Sequence, residues 1–567
     1  MALSSSHPAA AAVAAVLARH GVKNAVVSPG SRNAPLVLAL HQHPDIHVRV
    51  SIDERAAAHH ALGLALATWT PVPVVCTSGT AALNHGPALA EAFHARIPLL
   101  SITADRPSEV VGRGHGQTIH QADVHASHTL LQDVLDETTM DLMELTSRVS
   151  SAIETALHGG PGQSSGPVHL NIPLHEPLYE LDTFPDSLGS DLDIGQHERF
   201  ETTTLVPNQT LLSALERGRV LVVAGPRPYA TSFPSPPSLE VALPCIAERG
   251  SDVAGPLVLD GAERLLQNGA LPTALKPEAI LTLGLPPMSK ALRKALEDLP
   301  HWHVGRDLAG EGSGWDVWSQ LLGCAPSSSL TATPAPSFAD AWHAARFELQ
   351  EVDNHHKAKW SDLKAWQTLV RCWAAWPENR RPKALHLANS ASARYAQWVD
   401  LPSAMHRDGV IHANRGVAGI DGCTSTAVGW QAFHQTIDPT HQTWLVTGDV
   451  AFHYDSNAFL TDPIPHGMRI VVINNGGGGI FRWLPGTQHH EMFERHFETP
   501  PNRGVQDMAQ AMNAAHWLVT NDEELEEALH AAEQTNGNAV VEVVTQAQDS
   551  AQEQSDYLKS FKKLSQT

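Results

Sequence analysis

Cysteine and positive charge are both scarce in this chain. Its 567 residues hold five cysteines, Cys76, Cys245, Cys324, Cys372 and Cys423. No two of them form a C-x-x-C pair, which argues against a zinc site or redox dithiol. Their low, scattered number suits a reducing cytosol, so a cytoplasmic protein is expected. Lys and Arg total 38 against 60 Asp and Glu, a formal charge of −22. A chain this acidic repels a polyanion, which excludes nucleic acid as the expected partner. A small anionic substrate would need Arg or Lys gathered locally. Long apolar runs are missing too: nothing reaches the roughly 18 residues of a membrane span. The opening MALSSSHPAAAAVAAVLARHG lacks a basic n-region and reads as an amphipathic helix, not a signal peptide.

Hydrophobic residues make up 42% and charged residues 17%. That is material for several cores and excludes a mainly disordered chain. The length suggests about three to four domains. Apolar runs alternate with helical stretches over residues 8–180, with candidate strands at 25–29, 48–52, 72–77, 98–103 and 167–172. That rhythm predicts a parallel, doubly wound sheet. A polar stretch at 181–207 reads as a linker, a second αβ series occupies about 208–322, and a Ser/Thr/Pro/Ala-rich stretch at 324–337 reads as a second linker. The last third repeats the αβ rhythm, with strands expected at 443–449, 468–475 and 539–545. No short internal repeat stands out.

The most informative segment is GDVAFHYDSNAF…RIVVINNGGGGIF, residues 448–481. Two apolar runs read as buried parallel strands, with Asp449 at the carboxyl end of one and Asn474 and Asn475 at the carboxyl end of the other. Ligands of open parallel sheets bind at those ends. A hard cation that bridges a diphosphate takes a carboxylate, an amide oxygen and a backbone carbonyl. Asp449, Asn475 and a glycine carbonyl supply that set, and the run Gly476–Gly479 lets backbone approach phosphate closely. The bland alternative is a glycine-rich turn with Asp449 as a helix cap. Asn475 follows Asp449 by 26 residues at the next strand end. That spacing and context resemble the diphosphate-binding motif of thiamine diphosphate enzymes.

Such enzymes need a second carboxyl, hydrogen-bonded to the cofactor's pyrimidine so that its C2 proton can leave. Glu54, after VRVSI and at the start of an Ala/Leu helix, fits; taken alone, it is equally well a first-turn Glu favoured by the helix dipole. Its neighbourhood is more specific. SPGSRNAPL (28–36), DERAAAHHALGLA (53–65), TSGTAALNHGPALAEA (77–92), ADRP (104–107) and GQTIHQ (116–121) occur in order, followed by NRGVAGIDGCTSTAVG (414–429) and NNGGGGIFRWLP (474–485). Together they resemble the 2-succinyl-5-enolpyruvyl-6-hydroxy-3-cyclohexene-1-carboxylate synthases of menaquinone biosynthesis, over both outer domains and much more weakly in between.

The resemblance implies an α/β architecture of three doubly wound αβ domains with mainly parallel sheets, the thiamine diphosphate-binding fold. Residues 1–182 would form a pyrimidine-binding domain, 205–325 a central αβ domain and 350–567 a diphosphate-binding domain. It implies thiamine diphosphate with Mg²⁺ (or Mn²⁺), and a transferase that decarboxylates 2-oxoglutarate and adds the product to isochorismate. Glu54 would be catalytic. Asp449, Asn475 and Gly477 would hold the metal, and Thr77, Gly79, Ile420, Gly448, Asn474, Gly478 and Ile480 the cofactor. Both substrates are dianions; Ser31, Arg32, Arg106, Gln117, Lys290, Ser390, Arg394, Arg415 and Phe481 would bind them, with Leu484 completing an apolar wall. Arg grips carboxylates bidentately, which Lys does not. A homodimer, or dimer of dimers, with sites at the subunit interface is implied.

Two departures stand out. Relatives often carry adjacent basic residues where this chain has Lys290 and then Ala291, with Arg293 or Lys294 as the available substitutes. Gly116 precedes Gln117, where relatives can have a side-chain amide. The 34 histidines, including those at 120–128 and 489–490, lack zinc spacing and read as surface or capping residues. GRGHG (112–116) lacks the helix and partner acid of a dinucleotide fingerprint. A pyruvate-using relative such as an acetohydroxyacid synthase, and a catalytically dead cofactor-binding regulator, remain as alternatives; joint retention of Glu54, Asp449 and Asn475 argues against the second.

Overall fold

Apolar runs buried on both faces build three mainly parallel sheets. The computed structural model describes residues 2–159, 165–185, 188, 209–226, 239–304 apart from 241, 252, 267 and 268, 321–322, 333–401, and 410–561 apart from 485 and 502. Most of the two expected linkers lies outside the described residues.

The first sheet runs Thr461–Asp462, His47–Ser51, Asn24–Val27, Val72–Cys76, Leu99–Asp105, Val168–Pro173, Leu131–Val134. Val72–Cys76 is buried at every position, as a strand covered on both faces must be. Thr461–Asp462 comes from the last third of the chain and alone pairs antiparallel. The third sheet runs Val410–Ala413, Ala384–Leu387, Thr443–Gly448, Met468–Asn474, Asn538–Val544, Ala514–Val519. Leaving aside Thr461–Asp462, its strand order matches that of the first sheet: second, first, third, fourth, sixth, fifth in chain order. Each sheet therefore has a switch point between its first and third strands, where ligands of such sheets bind. The central sheet is ordered differently: Val258–Leu259, Cys245–Ala247, Val220–Ala224, Ala279–Leu283, His301–Val304, Leu321–Leu322.

Two helices lock the outer domains together. Glu54–Thr68 begins at Asp53, whose Oδ1 accepts from the N–H groups of Arg55 (2.9 Å) and Ala56 (3.0 Å). It crosses Cys423–Ile437 so closely that a Cβ on Gly63 would collide with the Thr426 carbonyl, and one on Gly429 with the His60 carbonyl. The central and third sheets share one core, in which Leu221, Ile280 and Leu292 meet Phe338, Trp342, Trp366, Trp373 and Trp444.

Three expectations change. The N-terminal segment is not one amphipathic helix: Ala2–Ser5 is a strand, and the helix Pro8–Arg19 is buried on nearly every side, so Ala there serves close packing. The stretch from 181 opens with a strand, Leu181–Phe184, paired antiparallel with Ala2–Ser5. His125 is no surface residue: it is buried, with Nε2 2.9 Å from the Ala82 carbonyl and its ring edge-on to His169. No described helix is long and apolar enough to cross a membrane.

Candidate active site

Gly448 and Ile473 are paired across neighbouring parallel strands, so the residues that follow them, Asp449 and Asn474–Asn475, leave the sheet side by side. Asp449 opens the short helix Asp449–Tyr454. Its Oδ1 accepts from the Val450 N–H (2.9 Å), while Oδ2 is buried without a hydrogen-bond partner. Burial pushes its pKa up to about 7, although the N–H groups of Val450 and Gly477 pull it back. Asn475 donates through Nδ2 to Asp362 Oδ2 (2.8 Å), and its Oδ1 is likewise buried without a partner. Two such oxygens cost roughly 1–3 kcal/mol each unless something compensates. A hard cation, which takes carboxylate, amide and carbonyl oxygens, fits them. Gly477 has φ +135°, and a Cβ there would strike the Glu498 carbonyl. Its own carbonyl accepts from the Gly479 N–H (2.9 Å) and keeps a second lone pair. Ile420 packs on Ala388, Cys423 and Ala451, beside Asp449.

At the first sheet's switch point the loops after Asn24–Val27 and Val72–Cys76 touch: a Cβ on Gly30 would collide with Thr77. The Gly79 N–H donates to Gln121 Oε1 (2.9 Å), and Gln117 lies against Gly79. Glu54 is half-buried at the start of its helix. Burial, and then the Glu54 charge, push the Cys76 thiol pKa up, so Glu54 lies near the end of Val72–Cys76.

The cations form two groups. Arg32 is buried, donating to the Leu174 carbonyl (2.9 Å) and to Glu176 (3.0 Å). Burial and then Arg106 hold its pKa below the usual range, so these two guanidiniums are neighbours. In the second group Arg394 donates to the Ser390 carbonyl and Arg415 to Asn389 Oδ1, both at 2.8 Å. Burial, and then Arg415, lower the Arg394 pKa; Arg415 is lowered by burial and also feels Arg293. Arg293 thus reaches this group from the helix Lys290–Leu296, where the sequence has Ala at 291.

Chain-wide comparisons agree with this geometry. Residues 8–126 match the family described as thiamine pyrophosphate enzyme, N-terminal TPP binding domain, and 393–543 its C-terminal TPP binding domain. A 2-succinyl-5-enolpyruvyl-6-hydroxy-3-cyclohexene-1-carboxylate (SEPHCHC) synthase of Flavobacterium johnsoniae is 32% identical over 93% of this chain and 94% of its own length. Synthases of the same name from Porphyromonas gingivalis (33%, over 90% and 89%) and Trichormus variabilis (32%, over 96% of each) are similarly close. The chain belongs to the SEPHCHC synthase family.

Within the SEPHCHC synthase frame, some expected residues sit differently from their neighbours. The Asn474 side chain is committed to Glu542 (2.6 Å) and to the Gly476 N–H (3.3 Å), and its carbonyl accepts from the Thr545 N–H (3.0 Å), so it braces the strand end. Ser31, Gln117 and Lys290 are exposed, whereas Thr77 is buried with Oγ1 unpartnered. Phe481 stacks edge-on with Phe497, and Leu484 is largely exposed. Gly448, Gly478 and Ile480 flank the Asp449–Asn475 cluster in sequence.

Sequence reasoning missed several partners. Gln121 ties Gly79 to Asn171 (2.9 Å), and Asn171 in turn donates to Asp105 (2.9 Å) beside Arg106. It stands at the end of the GQTIHQ motif and was findable there. Asn389 anchors the 414–422 loop by donating to the carbonyls of Asn414 (2.6 Å) and Gly419 (2.7 Å). Glu91 accepts from the N–H groups of Gly416 (2.7 Å) and Val417 (2.8 Å). Glu248 of the central domain is buried against the N–H groups of Met288 and Ser289; burial lifts its pKa to about 7 against the pull of Arg415. No sequence pattern marks Glu248 or Asp362.

Proposed function

We propose that the protein decarboxylates 2-oxoglutarate and adds the resulting succinic semialdehyde carbanion equivalent 1,4 to isochorismate, giving SEPHCHC and CO₂. The observation that carries this is the pair of buried, unpartnered oxygens on Asp449 and Asn475, in a chain of this family. Thiamine diphosphate, when bound with Mg²⁺ (or Mn²⁺), supplies the carbanion chemistry for both steps. Asp449, Asn475 and the Gly477 carbonyl hold the metal. Glu54 holds the proton at the pyrimidine. Arg32 with Arg106, and Arg394 with Arg415, take the four carboxylates of the two substrates, since a dianion in a protein of charge −22 needs local cations. Ile480, Phe481 and Leu484 exclude water from the reacting centre.

The pyrimidine-binding, central and diphosphate-binding domains are assigned to 1–182, 205–325 and 350–567. The enzyme works as a homodimer or dimer of dimers in the cytoplasm. Ile52, Tyr454 and Leu460 are 63%, 52% and 46% exposed around the start of the Glu54 helix, an apolar rim that a second subunit would cover. The test is CO₂ release from 2-oxoglutarate with and without isochorismate, beside pyruvate. Release from pyruvate but not from 2-oxoglutarate would move the chain to the pyruvate-using relatives.

A further inference from the structure

Asp362 lies 113 residues before Asn475 and opens the helix Asp362–Ala375, where a sequence reader sees an ordinary first-turn acid. It is 2% exposed. Its Oδ1 accepts from the hydroxyls of Thr545 (2.6 Å) and Ser550 (2.9 Å), and its Oδ2 accepts from Asn475 Nδ2 (2.8 Å). Its N–H donates to Ser550 Oγ (3.0 Å). Burial raises the Asp362 pKa, and the hydrogen bonds from Thr545, Asn475 and Ser550 oppose that by favouring the ionised form.

An asparagine amide has two ends of nearly equal shape, and only its hydrogen-bond partners decide which end points where. A hard cation accepts the oxygen end and rejects the NH₂. An ionised carboxylate accepts hydrogen bonds and donates none. It therefore requires the NH₂ of Asn475 and leaves Oδ1 on the opposite side, where that atom is buried and unpartnered. The two hydroxyl donors on Asp362 Oδ1 hold the carboxylate itself in place.

We propose that Asp362 is a positioning residue whose carboxylate selects the amide orientation of Asn475 and so presents Oδ1 to the divalent ion. This rests on the reading of Asp449 and Asn475 as metal ligands. Replacing Asp362 by Asn keeps the acceptor for Thr545 and Ser550 but puts an NH₂ opposite Asn475. The Asn475 amide then turns over and offers nitrogen to the ion. Exchanging the pair, Asp362→Asn with Asn475→Asp, restores a donor facing an acceptor and returns an oxygen to the ion at unchanged total charge.

Mn²⁺ binding in the presence of thiamine diphosphate, followed by electron paramagnetic resonance, tests this without an activity assay. Wild type binds, and Asp449→Ala does not. Asp362→Asn binds about 10–100-fold more weakly, the usual cost of losing a partner behind a metal ligand. The exchanged pair recovers most of that loss. Near-wild-type Mn²⁺ affinity in Asp362→Asn, or an exchanged pair no better than the single variant, overturns the inference. Wild type that fails to bind, or Asp449→Ala that binds as wild type does, instead sinks the metal-site reading beneath it. Should Asp362→Asn fail to fold by near-ultraviolet circular dichroism, the exchanged pair decides alone: it folds and binds Mn²⁺, and failure in either respect refutes the proposal.

Discussion

At the scale of single residues, the proposed site gives proton transfer and carboxylate binding to different groups, which would lose different things on mutation. Glu54→Gln keeps the shape and hydrogen bonding of the side chain but cannot relay a proton. Cofactor binding is expected to persist in titration calorimetry while kcat falls about 10²–10⁴-fold. Retention of more than about a tenth of kcat would remove Glu54 from the chemistry. Among the described residues Arg394 and Arg415 each give one 2.8 Å bond to the protein, and a guanidinium has further N–H groups for a substrate. Arg394→Ala or Arg415→Ala is expected to lower kcat/KM for one substrate by about ten- to a hundredfold. A change below about twofold for both substrates places that Arg outside the site.

At the scale of elements, the crossing of Glu54–Thr68 over Cys423–Ile437 sets where Glu54 starts. Both helices give up a side chain at the contact, and a methyl group there has no room. Gly63→Ala is expected to destabilise by about 1–3 kcal/mol through overpacking and to lower the thermal midpoint and the activity together. Gly86→Ala, on a helix where a Cβ meets nothing within 4 Å, serves as the control and is expected to be neutral or mildly stabilising. Equal midpoints for the two variants would show that the crossing tolerates a methyl group. Asp53 ties the Glu54 helix to a further element: it caps that helix and accepts from Asn457 (2.7 Å), in the turn just beyond the Asp449 helix.

At the scale of the whole molecule, the proposed dimer gives a sharp test. In it each subunit would carry two incomplete half-sites, and each complete site would take Glu54 from one chain and Asp449 from the other. Glu54→Gln and Asp449→Ala proteins, each inactive, are mixed under conditions that exchange subunits. Activity should return toward about a quarter of wild type, since about half the dimers are mixed and each has one intact site. Demonstrated exchange with no activity would mean that one chain builds the whole site. Acid stability is the second molecular property. Burial lowers the pKa of His60, His85 and His169 to about 3 and of His412 and His441 to about 4. These imidazoles stay neutral when folded but take up protons near pH 6.5 when unfolded, so the unfolded state gains protons as pH falls below 6.5 and stability drops toward pH 4. Glu248, Asp449 and Asp455, raised to about 7, oppose this by holding protons in the folded state, but they are fewer. The thermal midpoint should fall between pH 6.5 and 5; a flat or rising midpoint there contradicts the balance.

The sequence by itself determined the sheet-forming runs and the ends that carry chemistry. Continuous apolar strands such as Val72–Cys76 and Met468–Asn474 can only be buried, and the polar residues that follow them must lie at the carboxyl end of the sheet. Motif spacing then named Glu54, Asp449, Asn475 and the arginines. Short or polar strands were not legible: Leu131–Val134, Ala384–Leu387, Val410–Ala413 and Ala514–Val519 carry His, Gln or Asp, or too few residues to show a period. Only the tertiary structure decided the matching strand order of the outer sheets, the pairing of Arg32 with Arg106 and of Arg394 with Arg415, and the partners Gln121, Glu248 and Asp362. Those depend on contacts between segments tens to hundreds of residues apart, such as Arg32 with Glu176 and Asp362 with Asn475. A local pattern records a residue's own turn or strand; it does not record which distant hydrogen-bond donor fills the space beside it.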